Sequence, residues 1–392
     1  MSFAVTVTRV LSKTPAALLL GATLALAACD STPPLPDDGF VNAPGGRIAF
    51  RVIGKGNGVP LLIIHGGPGS SSCLYPATLA GVGASRPVVM YDQLGSGNSD
   101  RTTNLGRDGV LSRFVAEVAA IRSELGLDEL HLVGHSWGAA VALEYLLSGH
   151  ATGVRSVIFV GPLISTSRWI QDANALVGML PAETQQAVAA ATASGKFDTP
   201  EFNAANDVFM AQFLSRRMPE LRNFTDCTAS PRAFNFELYE YMWGPSEFVS
   251  TGTLRDYDRI GRLSEIAIPT MFLVGQYDEA RPETMREFQA LVPGSIVKVI
   301  PDAAQRAARC ALEMQKAMCA VNEYNHQMGW PEIEMGIGIH TGEVVVGNIG
   351  STKRSKYGVV GRTVNLTARI ESFTVGGQVL FSPTSITAAG PG

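Results

Sequence analysis

Short apolar runs alternate with stretches of helical periodicity through the middle of the chain. Between residues 111 and 125, apolar side chains recur at spacings of 3, 4, 3 and 4, which is the stripe of an amphipathic helix. The apolar runs have the length of strands buried on both faces of a sheet, and they are Val59–His65, Pro87–Asp92, Leu130–Val133, Val157–Val160 and Thr270–Val274. This alternation predicts an α/β fold with a doubly wound sheet of buried parallel strands.

The segment LVGHSWGAA, residues 132–140, lies where one of these strands should pass into a helix. Its Gly-x-Ser-x-Gly pattern is that of a nucleophile elbow, in which glycines permit a sharp turn and close packing of strand on helix. The turn would raise the Ser136 hydroxyl above the sheet, and the helix N-terminus behind it favours developing negative charge. Ser136 is therefore the predicted catalytic nucleophile.

Two further segments supply groups that an acyl-transfer site needs. HGGPG, residues 65–69, follows a strand and can offer the backbone N–H of Gly67 to an oxyanion, with the N–H of Trp137 as the second donor. Asp278 follows a later apolar run, and the chain order serine, aspartate, histidine is that of α/β hydrolases. The residues alone leave open that HGGPG is an ordinary turn and that Asp278 is a solvated loop residue.

The bulk composition excludes several classes of function. The chain has 392 residues, 46% of them hydrophobic, which is enough for one large domain and a second, smaller piece. A net charge of −4 gives no basic footprint for nucleic acid. The cysteine and histidine spacings match no zinc site, so neither a metal nor a cofactor is predicted.

Residues 1–29 have the features of a bacterial lipoprotein signal. Basic residues precede a short apolar segment, and the last four residues, LAAC, resemble a lipobox. We expect Cys29 to be lipidated and the proline-rich residues 30–44 to form a tether, so that the protein is exported and anchored in the membrane by lipid on the periplasmic or cell-surface side. The alternative is an ordinary secretory signal that is cleaved after Ala28.

The other four cysteines fall into two pairs along the chain. Outside the cytoplasm Cys73 and Cys227 can form a disulfide, although the sequence does not show that they approach each other. Cys310 and Cys319 share a predicted helix, where their spacing keeps them apart. We interpret these two as small core residues.

Five strings together resemble the proline iminopeptidase family of α/β hydrolases: HGGPG, YDQLGSGNSD, GHSWG, MWGPSEF and GQYDEARPET. The resemblance covers residues 45–304 and implies an α/β-hydrolase fold with a helical cap over about residues 165–255. It also implies removal of N-terminal residues, often proline, from peptides with a free N-terminus. Family members grip the α-amino group with cap glutamates, and Glu247 is the candidate here, with Glu237 and Glu240 behind it. A charged amine in a partly dry pocket needs such a carboxylate, although each glutamate is also compatible with a solvated cap helix.

The same resemblance implies a catalytic histidine at or just after Gln305, and none stands there. After Asp278 the chain has only His326 and His340, which lie in a segment foreign to this family. Without a general base Ser136 keeps the weak nucleophilicity of an alcohol, and loss of a triad member costs roughly 10⁴ to 10⁶ in kcat. We therefore expect an impaired serine aminopeptidase or, as an alternative, a non-catalytic lipoprotein that binds peptides in the same pocket.

Residues 305–384 resemble the C-terminal part of a class III adenylate/guanylate cyclase catalytic domain. The strings GIGIHTGEVVVGNIGS and VNLTARIE carry this resemblance, which implies an incomplete ferredoxin-like α+β fragment over residues 305–392. Carried over by motif, Asn365 would orient a ribose and Arg369 would stabilise the pentavalent phosphate. Cyclic nucleotide signalling through this segment is thus a further alternative function.

Two departures from the cyclase pattern limit what this segment can do alone. The two metal-binding aspartates of that family lie in its N-terminal half, which has no counterpart here, and Arg362 stands where the family usually has aspartate. Without two carboxylates no two-metal site can form. The family's sites form between subunits, so a partner of cyclase type would have to complete one. The two resemblances imply different compartments, which favours a chimera of two truncated domains.

Overall fold

The computed structural model describes residues 35–73, 75–101, 110–214, 232, 234–301, 303–342, 344–351 and 354–389. The predicted signal with Cys29, and also Cys227, lie outside the described residues. Within the described part, no helix combines the length and the hydrophobicity needed to cross a membrane.

Eight strands form the main sheet: β1 (Asp38–Ala43), β2 (Gly46–Ile53), β3 (Leu61–Ile64), β4 (Val88–Tyr91), β5 (Leu130–His135), β6 (Val154–Val160), β7 (Thr270–Gly275) and β8 (Ile296–Ile300). Their order across the sheet is β1-β2-β4-β3-β5-β6-β7-β8. The hairpin β1–β2 joins β4 in antiparallel pairing, and the neighbours from β4 to β8 are parallel. The α/β prediction is confirmed, and the sheet is mixed rather than wholly parallel.

The five predicted apolar runs became the interior strands β3 to β7, whose residues are mostly buried or half-buried. All four residues of β4, for example, are buried. The sequence pattern did not predict β1 and β2. These strands lie at one edge of the sheet, where buried, half-buried and exposed positions alternate, so no continuous apolar run marks them.

Three helices pack against this sheet before the cap: α1 (Tyr75–Gly83), α2 (Val110–Glu124) and α3 (Trp137–Tyr145). All nine residues of α3 are buried, since the helix lies between the sheet and α2. The predicted stripe of α2 is confirmed, with Phe114, Val118 and Ile121 fully buried. The Phe114 ring meets the Trp137 ring edge-on, with centroids 5.3 Å apart. The hydrophobic core therefore packs against α3 directly after the predicted nucleophile.

An insertion between β6 and β7 forms the helical cap. In the part of the cap that the structure describes, the helices are α4 (Thr166–Val177), α5 (Ala182–Ser194), α6 (Pro200–Phe209) and α7 (Phe236–Met242), and a π-helical turn at Met210–Leu214 extends α6. Side-chain caps start three of them: Ser165, Thr199 and Asn235 each accept a hydrogen bond from a backbone N–H in the first turn. The cap also has an apolar cluster of its own, which includes Phe202, Phe209 and Phe248.

Beyond the cap, α8 (Pro282–Leu291) joins β7 to β8, and the long helix α9 (Ala303–Gln327) follows β8. The rest of the chain forms two small sheets and two helices. Its elements are β9 (Ile337–Ile339), β10 (Val345–Ser351), β11 (Arg354–Val360), α10 (Arg362–Glu371), β12 (Val379–Phe381) and α11 (Pro383–Ala389). β10 and β11 pair as an antiparallel hairpin, and β9 and β12 pair in parallel. None of these strands joins the main sheet.

The C-terminal segment leaves much apolar surface uncovered. Helix α10 has an amphipathic sequence, yet none of its residues is buried. Large apolar side chains are also exposed elsewhere in the segment, namely Leu312, Met314, Tyr324, Met328, Trp330, Ile333, Phe373, Val375 and Ile386. Exposed apolar surface of this extent is typical of an interaction surface or of an aggregation-prone segment.

Candidate active site

The elbow is present at the junction of β5 and α3. Ser136 stands between the two elements with φ 53° and ψ −118°, and it is the only non-glycine residue of the described part with positive φ. Such a backbone costs about 1–3 kcal/mol and persists only where its surroundings hold it. The Ser136 N–H donates to the Val160 carbonyl at 2.9 Å, and its own carbonyl accepts from the N–H groups of Ala139 and Leu163. Hydrogen bonds to both the N–H and the carbonyl group of Ser136 therefore hold this strained residue in place.

The two glycines of the elbow are required by close approach. A Cβ atom on Gly138 would lie 2.3 Å from the Ile64 carbonyl oxygen, and one on Gly134 would lie 2.5 Å from the Ala139 Cα. Real Cβ atoms do not approach so closely, so larger residues would push α3 away from the sheet. The Gly-x-Ser-x-Gly pattern is thus explained by packing as well as by chemistry.

The HGGPG loop lies against the nucleophile. A Cβ atom on Gly66 would stand 3.1 Å from the Ser136 Cβ, which places this loop at the elbow. His65 is fixed in one tautomer, since its Nε2 accepts from the Gln93 N–H at 3.0 Å and its Nδ1 donates to the Gly66 carbonyl at 2.7 Å. Burial lowers the pKa of His65, which keeps this imidazole neutral.

A single glutamine ties that loop to the nucleophile helix. The Gln93 amide donates to the His65 carbonyl at 2.8 Å and accepts from the Trp137 indole N–H at 2.9 Å. All three residues are buried. Gly67 and Trp137, the predicted oxyanion donors, therefore belong to segments that one side chain holds together, and their role as donors stays a prediction.

Asp278 lies at the same edge of the sheet as Ser136. Its carboxylate accepts from the Ala280 N–H at 3.0 Å and from the Gly275 N–H at 3.3 Å. A Cβ atom on Gly161 would be 3.4 Å from the Asp278 Oδ1, and Gly161 directly follows Val160, the residue that binds the Ser136 N–H. Burial raises the pKa of Asp278 above its ordinary value. Ser136 follows β5 and Asp278 follows β7, and β6 lies between these two strands. The predicted nucleophile and the predicted acid are therefore one strand apart.

Each of the six histidines is engaged elsewhere. Among the described residues, no imidazole hydrogen-bonds to Ser136 or Asp278. Helix α9 begins at Ala303, three residues after β8 ends, so a helix occupies the region where the family would place its histidine. The partners of the other five imidazoles are Ser156 for His131 (2.7 Å), Tyr75 for His135 (3.1 Å), the stacked ring of Tyr145 for His150, Glu332 for His326 (2.6 Å) and Ser382 for His340 (2.7 Å).

Three acids form a cluster beside this edge of the sheet. Glu247 accepts a 2.7 Å hydrogen bond from the Tyr239 hydroxyl through Oε1. Glu279 is only 3% exposed, and its Oε2 has no hydrogen-bond partner in the described part. Burial, followed by the charges of Glu247 and Asp278, raises the pKa of Glu279 well above its ordinary value. None of the three is in an ion pair with a described residue, so the cluster is suited to an incoming cation.

Sequence reasoning missed Glu279 and placed emphasis on two other cap glutamates. Glu237 and Glu240 are both exposed on α7, and their role behind Glu247 stays a prediction. The signal for Glu279 was present in the string GQYDEARPET, where two acids in succession follow a buried strand. An acid in a loop is usually solvated, so only the tertiary structure could distinguish it.

The cyclase-like residues lie on helix α10. Asn365 and Arg369 are four positions apart, so they share one face of the helix, and both are exposed. Among the described residues, no three His, Cys, Asp or Glu side chains, the acid cluster included, stand close enough together to hold a metal ion. Cys310 and Cys319, which were interpreted as core residues, are exposed free thiols, because little packs around α9. That interpretation was wrong.

Comparisons with known proteins agree with this architecture. Residues 59–305 match the family of the alpha/beta hydrolase fold, and residues 289–389 match the adenylate and guanylate cyclase catalytic domain. A proline iminopeptidase of Heyndrickxia coagulans is 40% identical over 264 residues, which cover 66% of this chain and 88% of that protein.

Two solved structures resemble the fold as well. The crystal structure of proline iminopeptidase from Mycobacterium smegmatis aligns with a TM-score of 0.61 at 28% identity, over 74% of this chain and 99% of that one. The crystal structure of VinJ aligns with a TM-score of 0.61 at 31% identity, over 68% of this chain and 91% of that one.

Proposed function

Because this chain belongs to the α/β hydrolase family, and within it to the proline iminopeptidase family, we propose that residues 45–304 bind peptides by their free N-terminus and cleave the first peptide bond only slowly. The observation that carries this proposal is the acid cluster of Glu247, Glu279 and Asp278, in which Glu279 is buried and the other two are half-buried and which has no ion pair with a described residue. Buried carboxylates of this kind are stabilised by a partner of opposite charge, and an α-ammonium group supplies one.

The positions of the acid cluster and of Ser136 also support one orientation of a bound peptide. The ammonium group would lie between Glu247 and Glu279, and the first carbonyl would lie at Ser136. The oxyanion that forms there would face two N–H groups. One belongs to Gly67 in the HGGPG loop, and the other belongs to Trp137 at the N-terminal end of α3. Asp278 would lie beside Glu279 at the other end of the acid cluster from Glu247, next to the departing amine, which takes up a proton.

Slow turnover follows from the positions of the histidines. In serine hydrolysis an imidazole takes the proton of the serine and passes it to the leaving amine. No described imidazole hydrogen-bonds to Ser136, so water or a substrate group must take over this transfer, at a cost of roughly 10⁴ to 10⁶ in rate. A protein with this pocket would then act chiefly by holding peptides.

The direct test is a calorimetric titration of the full chain with proline amide and with N-acetylproline amide. Proline amide should bind and the acetylated compound should not, because acetylation removes the positive charge. Glu247→Gln should weaken the binding, whereas the exposed Glu237→Gln should leave it unchanged. Equal affinity for the two compounds would refute recognition of the amine.

We further propose export and lipid attachment at Cys29. Cys73 is disulfide-bonded, which supports an oxidising compartment. Cells that express the chain in the presence of radiolabelled palmitate should yield a labelled protein in the membrane fraction, and Cys29→Ser should abolish the label. A labelled Cys29→Ser protein would contradict this attachment site.

For the C-terminal segment, the match over residues 289–389 supports a second candidate function. Asn365 and Arg369 share one exposed face of α10, where they are accessible to a nucleotide held by another subunit. We propose that the segment acts only with a cyclase-type partner that brings its own metal-binding carboxylates. Mixing the full chain with such a partner should produce cyclic nucleotide in an Arg369-dependent manner, and absence of product would exclude the function.

A further inference from the structure

A cavity of about 580 Å³ lies between the cap and the ends of β7 and β8, a volume within the range of small-molecule sites. We call it the distal cavity. Cap residues Leu176, Met179 and Phe213 give it an apolar wall, and Asp278 lies on its inner side. It therefore continues from the predicted catalytic acid toward the solvent.

Two exposed arginines that have no ion pair with a described residue line the distal cavity, together with the Asp278 carboxylate. Arg286 lies on α8 and Arg309 lies on α9, and neither has a hydrogen bond or an ion pair with a described residue. A third arginine, Arg281, is already paired, at 3.5 Å from Glu283 and 3.9 Å from Asp172. Guanidinium groups bind carboxylates through charge-assisted hydrogen bonds, so the free pair is suited to an organic anion.

The position of Asp278 indicates which part of a substrate reaches this cavity. In a serine peptidase the leaving amine departs on the side where the aspartate and its histidine lie. Glu279, the next residue, is close enough for its charge to interact both with Asp278 and with Glu247, and Glu247 marks the amine side. A peptide that binds as proposed above therefore directs its second residue toward the distal cavity. Since one extended residue spans about 3.3–3.6 Å, the carboxylate of a dipeptide lies only a short distance beyond the scissile bond.

We propose that the distal cavity binds the free α-carboxylate of a dipeptide through Arg286 and Arg309, with an apolar second side chain against Leu176, Met179 and Phe213. This inference rests on the proposed function, because it extends the same bound peptide. It assigns the protein to short peptides with a free C-terminus and an apolar second residue, rather than to long chains.

The test compares three ligands by calorimetry on the full chain. Prolyl-leucine has both ends, prolyl-leucine amide lacks the carboxylate, and N-acetyl-leucine lacks the free amine. We expect prolyl-leucine to bind about tenfold more tightly than its amide, which corresponds to about 1.4 kcal/mol. Arg286→Gln combined with Arg309→Gln should remove that difference. The control is Arg255→Gln, an exposed arginine that does not line the cavity and pairs with Asp256.

The three ligands keep the two proposals distinguishable. If N-acetyl-leucine binds and the arginine variant loses it while Glu247→Gln keeps it, the distal cavity is supported even where amine recognition fails. If prolyl-leucine amide binds as tightly as prolyl-leucine, the carboxylate site is refuted and recognition of the amine stands. Retention of the acid preference in the double variant would also refute it, provided that thermal unfolding confirms that the variant is folded.

Discussion

The Tyr239 hydroxyl donates a 2.7 Å hydrogen bond to Glu247, and this bond favours the ionised form of a half-buried carboxylate. Burial raises the pKa of Glu247, while the bond from Tyr239 lowers it and so opposes the burial. Tyr239 lies on α7, which is itself started by the Asn235 cap. The cap helix therefore controls the charge of a residue that we place in the peptide site.

Replacing Tyr239 should weaken amine binding without removing any carboxylate. Tyr239→Phe deletes the hydrogen bond, so the pKa of Glu247 rises further and less of the group is ionised at neutral pH. Hydrogen bonds to charged groups are worth about 1.5–3 kcal/mol, which corresponds to a loss of about tenfold or more in affinity for proline amide. The neighbouring Tyr241→Phe serves as the control, and equal affinities of the two variants would contradict the idea.

Binding of the amine should be lost on mild acidification. The carboxylates must be ionised to pair with an ammonium group, and the pKa values of Glu247 and Glu279 are raised. Affinity for proline amide should therefore fall at a pH above about 4.3, the ordinary value for glutamate. Calorimetric titrations across this range check the result, and an affinity that stays constant down to pH 4 would rule out these two glutamates as the site.

Neutralising Glu279 should stabilise the fold while it harms binding. The folded state holds the Glu279 proton more tightly than the unfolded state does, so the free energy of unfolding falls as pH rises from about 4.3 to the raised pKa. Glu279→Gln removes this effect, and each 1 kcal/mol relieved should raise Tm by about 2–4 °C at neutral pH. The gain should vanish near pH 4, and Glu237→Gln should show no gain at any pH.

The elbow glycine should tolerate no side chain. Gly138→Ala would bring a Cβ within 2.3 Å of the Ile64 carbonyl oxygen, and overpacking of this kind costs about 1–3 kcal/mol or more. Gly81→Ala is the matched control, because a Cβ there meets nothing within 4 Å and α1 should gain about 0.5–1 kcal/mol of helix propensity. Thermal unfolding should therefore shift in opposite directions for the two variants.

Added imidazole should restore part of the hydrolysis. A small base that reaches Ser136 replaces the general base, so the rate of proline naphthylamide cleavage should rise in proportion to imidazole. Ser136→Ala should abolish the increase, which separates enzymatic rescue from solution chemistry. A rate that stays flat in imidazole would indicate that the pocket has no access for a base beside Ser136.

Local sequence features predicted the parts of the site that depend on the backbone. The elbow at Ser136 could be recognised because the glycine spacing and the strand–helix order involve residues that are neighbours in sequence. The loop at Gly67 could be recognised because it follows a buried strand. Asp278 was found by chain order, and the structure places it one strand from the elbow. These features are local, so they survive in a single sequence.

The parts that depend on distant contacts could not be predicted. Glu279 joins the acid cluster through burial near Glu247, which is 32 positions earlier and in the cap. The edge strands β1 and β2 have no continuous apolar run. Cys310 and Cys319 were expected in a core, and their exposure reflects how little of the chain packs on α9. In each case tertiary packing, rather than the local sequence pattern, determined the burial of the residue or the position of the strand.

The side chain of Gln93 joins the loop of His65 to the helix of Trp137 through two buried hydrogen bonds. These bonds hold the loop against the helix, and a developing oxyanion would meet donors that need no rearrangement at the moment of reaction. Preorganisation of this kind does not depend on an imidazole. Serine hydrolases that lose a triad member retain about 10³- to 10⁴-fold acceleration over water from such donors and from binding. Gln93 would therefore determine how much residual hydrolytic activity this protein keeps without a catalytic histidine.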